Sequence, residues 1–428
     1  MVSKGRSIAR RFLWAVAGLM LTIWLASCGG SNISQGKGAE IEFWTMQLQP
    51  EFTDYFNRLV TQFETANPGT KVRWVDVPWA AMESKIISAV SARTAPDVVN
   101  LNPSFASQLA AKNAWLELDA KITPTERQKY LPKVWQASTL NNVSFGIPWY
   151  LTTAVTIYNQ ELLQKAGVAQ PPKTYAELAQ AARLIKEKTG KAAIFMTFVP
   201  QDSGEALESL VQMGVKLVDA QGKAAFNSPE GKAAFQYWVD MYKQGFLPPE
   251  VLTQGHRRAI ELYQAGEVAF LASGAEFMQT ISNNAPSIAK ASATTSQITG
   301  TTNKKNVAVM NLVIPKDTDQ PDLALKFALY VTNSENQLAF AQAANVLPST
   351  IEALQQYQSR LSGGSSPVDQ ARGISAAQLR DAEVLVPAMP GVKRLQQVIY
   401  ENLQAAMLGQ KSVDQAISDA EKQWNQGS

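Results

Sequence analysis

Ser144-Phe-Gly-Ile-Pro-Trp-Tyr-Leu-Thr-Thr-Ala-Val-Thr-Ile-Tyr-Asn159 is the stretch on which the fold turns. Gly146 and Pro148 predict a bend, because a proline pushes its predecessor out of the helical region and fixes its own φ. Residues 151–157 carry the β-branched content of a buried strand. Asn159-Gln-Glu-Leu-Leu-Gln-Lys-Ala-Gly167 then reads as a short helix closed by a glycine, with a Pro-Pro pair beyond it. A bend running straight into a buried strand is expected to be a hinge between two units.

The phrase Tyr-Asn-Gln-Glu-Leu-Leu over 158–163 and Ala166-Gly167, after Gly146-Ile-Pro148, resembles the crossover of the sugar-binding family of extracellular solute-binding proteins, the receptors of bacterial ABC importers. The resemblance implies an α/β, two-lobed fold of the periplasmic-binding-protein kind. Each lobe would be a doubly wound sheet with flanking helices, and a ligand cleft would lie between the lobes. Ala95-Pro-Asp-Val98, Asn67-Pro-Gly69 and the closing phrase Ala406-Met-Leu-Gly-Gln-Lys-Ser-Val-Asp-Gln-Ala-Ile417 are similar to the family as well.

The chain of 428 residues, 46% hydrophobic, is long enough for two cores, since single cores stop growing near roughly 250–300 residues. The net charge of +3 comes from the N-terminus: without Lys4, Arg6, Arg10 and Arg11 it becomes −1, which leaves no basic field for nucleic acid. Those charges precede an apolar run over 12–25, too short and wrongly flanked for a membrane span, so residues 1–27 read as a signal peptide. Leu25-Ala26-Ser27-Cys28 resembles a lipobox, which implies lipidation at Cys28 and a chain exported to the envelope and held to the membrane by lipid alone. Residues 28–39, rich in Gly, Ser, Asn and Lys, read as a tether.

Cys28 is the sole cysteine and His256 the sole histidine, so a Cys/His metal centre and a histidine triad are both excluded. His256, beside Arg257 and Arg258, reads as a surface residue at a helix start. No GxSxG, HExxH, CxxC or phosphate-loop motif occurs, so no catalytic residue, metal or cofactor is expected.

Helical periodicity over 52–63 and 82–90, with β-type runs at 41–45, 71–77 and 95–102, predicts βα alternation and hence a doubly wound sheet. Ligands in such sheets sit beyond the carboxyl ends of the strands, which nominates Trp44, Gln47, Asn102 and Ser104. A capping box at Thr174-Tyr-Ala-Glu177 opens the second unit's helices, and 307–315 reads as a strand returning to the first. The Ser/Thr-rich stretch 282–306 reads as a surface loop. The division expected is 40–148 and 306–345 in lobe one, and 149–305 and 346–428 in lobe two.

For a carbohydrate, Trp149 and Tyr150 offer flat apolar faces, and Thr152 and Asn311 offer hydrogen bonds. In the family a strand ends in Gly-x-Trp at the cleft; here Gly274-Ala-Glu-Phe277 stands in its place, so Glu276 and Phe277 become candidates. The expected function is a monomeric, lipid-anchored receptor that closes on a sugar or oligosaccharide and passes it to the transmembrane subunits of a permease. Two alternatives remain open. One is a non-sugar solute, a cationic metabolite facing Glu276 or a glycerol phosphodiester facing Arg394 or His256. The other is an exported carbohydrate-active enzyme using two carboxylates.

Overall fold

The computed structural model describes residues 39–361, 364, 366–386 and 389–427, without the side chain of Ser104. Cys28, the expected signal peptide and most of the tether lie outside the described residues.

Twelve strands are described, and eight of them carry the two lobes. β1 (Ala39–Met46), β2 (Thr70–Val77) and β3 (Val98–Leu101) follow the predicted βα alternation, with helices Thr53–Ala66 and Trp79–Ala92 between them. After the small hairpin of β4 (Thr139–Leu140) and β5 (Val143–Ser144) come β6 (Ile147–Asn159), β7 (Ala192–Ile194), β8 (Val268–Gly274), β9 (Ser292–Ser296) and β10 (Lys305–Val313). The last two, β11 (Leu347–Pro348) and β12 (Ala382–Glu383), are short. The strand order is β2-β1-β3-β10-β6-β8-β7. β1, β2 and β3 are parallel, while β10 runs antiparallel to β3 and β6, and β6 antiparallel to β8.

β6 joins the lobes. Its residues up to Thr153 pair with β10, and from Ala154 onward they pair with β8 and β9. The exchange of partners therefore falls between Thr153 and Ala154, five residues later than the expected boundary at 148/149. The bend expected at Pro148 is absent, because β6 is one continuous strand of 13 residues. Pro148 has no N–H for a ladder, and the opposing strand accommodates it with a register shift between Met310 and Asn311. Gly146, just before the strand, is required by close approach: a Cβ there would lie 3.2 Å from the Cβ atoms of both Asn311 and Ser138.

Side-chain alternation along β1 sends Ile41 and Phe43 to one face of the first sheet and Trp44 and Met46 to the other. The first pair packs with Phe56, Trp149 and Phe327, the second with Met82 and Ile86. Lobe two has its own core, in which Leu178, Trp238, Phe270 and Ile399 are all fully buried. Leu395, Ile399, Leu403 and Met407, spaced for one helical face, are buried there together along helix Val392–Met407.

Two further expectations change. The stretch 282–306 is not a loop: it holds helix Pro286–Ala291 and then β9, which pairs with residues 155–159 of β6. Its Ser and Thr residues are poor in apolar signal, but tertiary pairing makes the strand. Within 346–428, helix Ile351–Leu361 inserts Ala353, Leu354 and Tyr357 into the first lobe's core, so that part of the chain does not belong to lobe two.

Candidate ligand-binding cleft

Between the lobes lies a cleft of about 1260 Å³, and continuous with it is a smaller chamber of about 430 Å³ that runs into lobe two. Alternation along β6 builds the floor. Trp149 and Leu151 point into the core and are fully buried, while Tyr150 and Thr152 face the cleft and Ala154 the chamber. From β10, Asn306 and Ala308 line both spaces.

The structure places Asn102, Tyr150, Thr152, Glu276 and Phe277 in the cleft wall. Asn102 lies beyond the end of β3, where its side chain also caps helix Pro103–Ala110 by accepting from Phe105 N at 2.9 Å. Ser104 sits in the first turn of that helix.

Trp44, Trp149 and Asn311 are elsewhere. Trp44 is buried in the first lobe; its indole Nε1 donates to Glu42 Oε1 at 2.6 Å, and Lys85 Nζ lies 4.1 Å from its ring centroid. Trp149 stacks on Phe340 at 5.1 Å and is fully buried. Asn311, also fully buried, sits behind the register shift of β10 and accepts at its carbonyl from Asn100 Nδ2. Gln47 lies outside the lining, but its Oε1 accepts from the backbone N of Trp79 at 3.3 Å and so caps the helix that carries that residue. Arg394 is likewise outside the cleft lining; it stacks over Trp424 and donates to the carbonyls of Gln423 and Trp424.

Trp79 is the aromatic that sequence reading missed. It opens helix Trp79–Ala92 just past β2, is 44% exposed, and lines both the cleft and the chamber. The rule that nominated the ends of β1 and β3 applies equally to β2, and Pro78-Trp79 is the first pair beyond its carboxyl end. Trp79 from lobe one and Phe277 from lobe two thus line the same space.

His256 is at a helix start, as expected, but it is partly buried in the wall of the cleft. Its Nδ1 lies 2.7 Å from Glu205 Oε1, off the line of an ideal hydrogen bond, and its Nε2 is 3.0 Å from Ser273 Oγ. Burial disfavours the charged imidazole, but Glu205, then Asp202 and Glu276, outweigh that and raise its pKa to about 9. Burial pushes Glu208 up to about 8, with Glu205 adding to the shift and Asn306 opposing it by a hydrogen bond. Burial likewise pushes Glu276 up to about 7 against the charge of His256. Sequence spacing gave no signal for this group, because 202–208, 256 and 276 meet only through the tertiary fold.

The loop carrying Asp202 and Ser203 is held from beneath. Gln396 Nε2 donates to both of their carbonyls, and Tyr400 OH donates to Ser203 O at 3.1 Å. The ionisable groups lining the cleft and chamber are Glu51, Glu83, Asp202, Glu205, Glu208 and Glu276, facing Lys393 and His256.

Two lobes joined through one shared strand around a polar, aromatic-rimmed cleft are the architecture of a solute-binding protein. Residues 49–338 match the family described as bacterial extracellular solute-binding protein, and the chain belongs to that family. A candidate oligosaccharide periplasmic-binding protein of Synechococcus sp. MITs9220 is 47% identical, with a TM-score of 0.86 over 90% of this chain and 98% of its own. It has been solved both alone and in complex with zinc. Among the described residues of the present chain, no three His, Cys, Asp or Glu side chains converge as a metal-ligand set. The diacetylchitobiose binding protein DasA of Streptomyces coelicolor is 26% identical over 423 residues, 94% of each chain. The GacH receptor of Streptomyces glaucescens shares the fold, with a TM-score of 0.75 at 20% identity over 91% of this chain and 98% of its own.

Proposed function

We propose that this protein is the receptor of an ABC importer for a sugar or oligosaccharide, anchored through lipidated Cys28, closing its lobes on the ligand and presenting it to the permease. The observation that carries this reading is the cleft itself, with Trp79 and Phe277 at its walls and Tyr150, Thr152 and Asn102 among its polar groups. Sugars present flat apolar faces and a ring of hydroxyls, and this lining answers both. The cleft, about 1260 Å³ while open between the lobes, has room for more than one sugar ring. The diacetylchitobiose- and oligosaccharide-binding descriptions of its relatives point the same way.

Contacts made by both lobes stabilise the closed state over the open one, and that difference is what drives closure. Gln47 supports the site from behind by holding the start of the helix that carries Trp79. Among the described residues no helix is long and apolar enough to cross a membrane.

The carboxylates around the cleft favour a second reading, a cationic solute held between Glu51, Glu83 and Glu276. Thermal unfolding of the chain from residue 29 onward, against a panel of neutral oligosaccharides and organic cations, separates the two, since a ligand bound to the folded state raises the midpoint. A rise with a neutral oligosaccharide supports the first reading, and a rise with cations alone overturns it.

A further inference from the structure

The smaller chamber has a chemistry different from that of the open cleft. Its floor is Leu178, Ile194, Met196, Ala272 and Ile298, drawn from the core of lobe two. Gln212 and Gln297 also reach it, but both are already engaged. Gln212 accepts from Tyr175 OH at 2.6 Å and donates to Gln297 and to the carbonyl of Lys304. Gln297 donates to the carbonyls of Ala154 and Asn306 and accepts from Asn306 N. A hydroxyl pushed to the floor would lose most of its hydration, with only the remaining lone pairs of Gln212 Oε1 and the Tyr175 oxygen to offset the loss.

The mouth is polar. Glu208 lines both spaces and takes a hydrogen bond from the Asn306 side chain. Ser203 stands beside it in both linings, and its Oγ is a buried atom with no hydrogen-bond partner. The group that fits is apolar at its tip and carries an N–H and a C=O at its base.

Resting on the carbohydrate reading above, we propose that the chamber is a subsite for the acyl group of an N-acylated amino sugar, its amide meeting Glu208 and Ser203 and its methyl the apolar floor. Because burial keeps the Glu208 carboxyl protonated up to about pH 8, it offers a donor and an acceptor together, the complement of an amide. A free amine has no methyl for the apolar floor, and to form a full ion pair it would have to draw the proton off a buried Glu208, so the chamber favours the acylated sugar.

Three disaccharides of one β-1,4-linked skeleton test this: N,N′-diacetylchitobiose, its deacetylated diamine, and cellobiose, each titrated calorimetrically into the chain from residue 29 onward. The diacetyl compound is expected to bind roughly tenfold or more tighter than the other two, from one buried methyl and a new amide contact. Ala272→Met, which narrows the chamber at its apolar floor, is expected to lower the ratio. Glu208→Ala lowers the ratio as well, and Glu208→Gln, which keeps a neutral donor and acceptor, restores most of it. Equal or tighter binding of cellobiose by the unaltered protein overturns the proposal, and tighter binding of the diamine overturns it in favour of a cation. A preference for the acetyl groups that neither Ala272→Met nor Glu208→Ala reduces overturns the placement in this chamber. If none of the three binds while other oligosaccharides raise the unfolding midpoint, the acyl subsite fails and the carbohydrate reading stands; if no oligosaccharide acts at all, both fail.

Discussion

Replacing Trp79 by alanine is the sharpest test of the cleft as drawn. Trp79 is 44% exposed, and a tryptophan side chain carries about 150–250 Å², so about 70–110 Å² of it faces the cleft. Covering half to all of that area with a sugar face, at about 25 cal/mol per Å², is worth roughly 1–3 kcal/mol, or about 5- to 100-fold in Kd. The residue opens its helix and is not core, so the fold should lose about 0.5 kcal/mol or less. Calorimetric titration with whichever oligosaccharide raises the unfolding midpoint, run beside thermal unfolding without ligand, separates affinity from stability. Unchanged affinity in a folded variant would refute the placement of Trp79 in the site. A large loss of stability would refute its description as an exposed residue.

Trp149→Ala is the converse case: it empties a fully buried site stacked on Phe340, so it should cost about 3–5 kcal/mol of stability by denaturant titration. A neutral effect would contradict its burial. The pH dependence of stability has a definite sign. Folded Glu208 and Glu276 keep their protons to about 8 and 7, against 4.5 for an ordinary glutamate, and His256 keeps its proton to about 9, against 6.5. The folded chain therefore binds more protons than the unfolded one between about pH 4.5 and 9, and the ligand-free unfolding midpoint should fall as pH rises across that window. A midpoint rising from pH 5 to 9 would count against this cluster. Since the chain has one histidine, its imidazole resonances in an NMR titration report His256 alone. They should titrate near pH 9, and Glu205→Gln should move them distinctly lower; no movement would remove Glu205 as the cause.

Much of the architecture was legible because apolar period and turn chemistry agreed. The βα alternation over 41–102, the capping box at Thr174 and the helical face of Leu395, Ile399, Leu403 and Met407 are all present in the fold. β9 was not legible, because a strand of Ser, Ala and Thr has no apolar alternation and exists through pairing with β6. At the site, residue type misled where register decides. Trp149 and Tyr150 are adjacent aromatics, yet the period of two along β6 buries the first in the core and turns the second to the cleft. Trp44 followed the strand-end rule but sits within β1, on a face covered by helix Trp79–Ala92. The cluster of Glu205, Glu208, His256 and Glu276 could not be read from spacing, since only the two glutamates of one helix start are near in sequence and the other two members come from two further helix starts.

The central claim is that both lobes hold the ligand and close on it. Small-angle X-ray scattering of the chain from residue 29 onward, with and without saturating oligosaccharide, measures this directly. The account predicts a smaller radius of gyration with ligand, and no such change with a sugar that leaves the unfolding midpoint where it was. Saturation by an oligosaccharide with no compaction would contradict it.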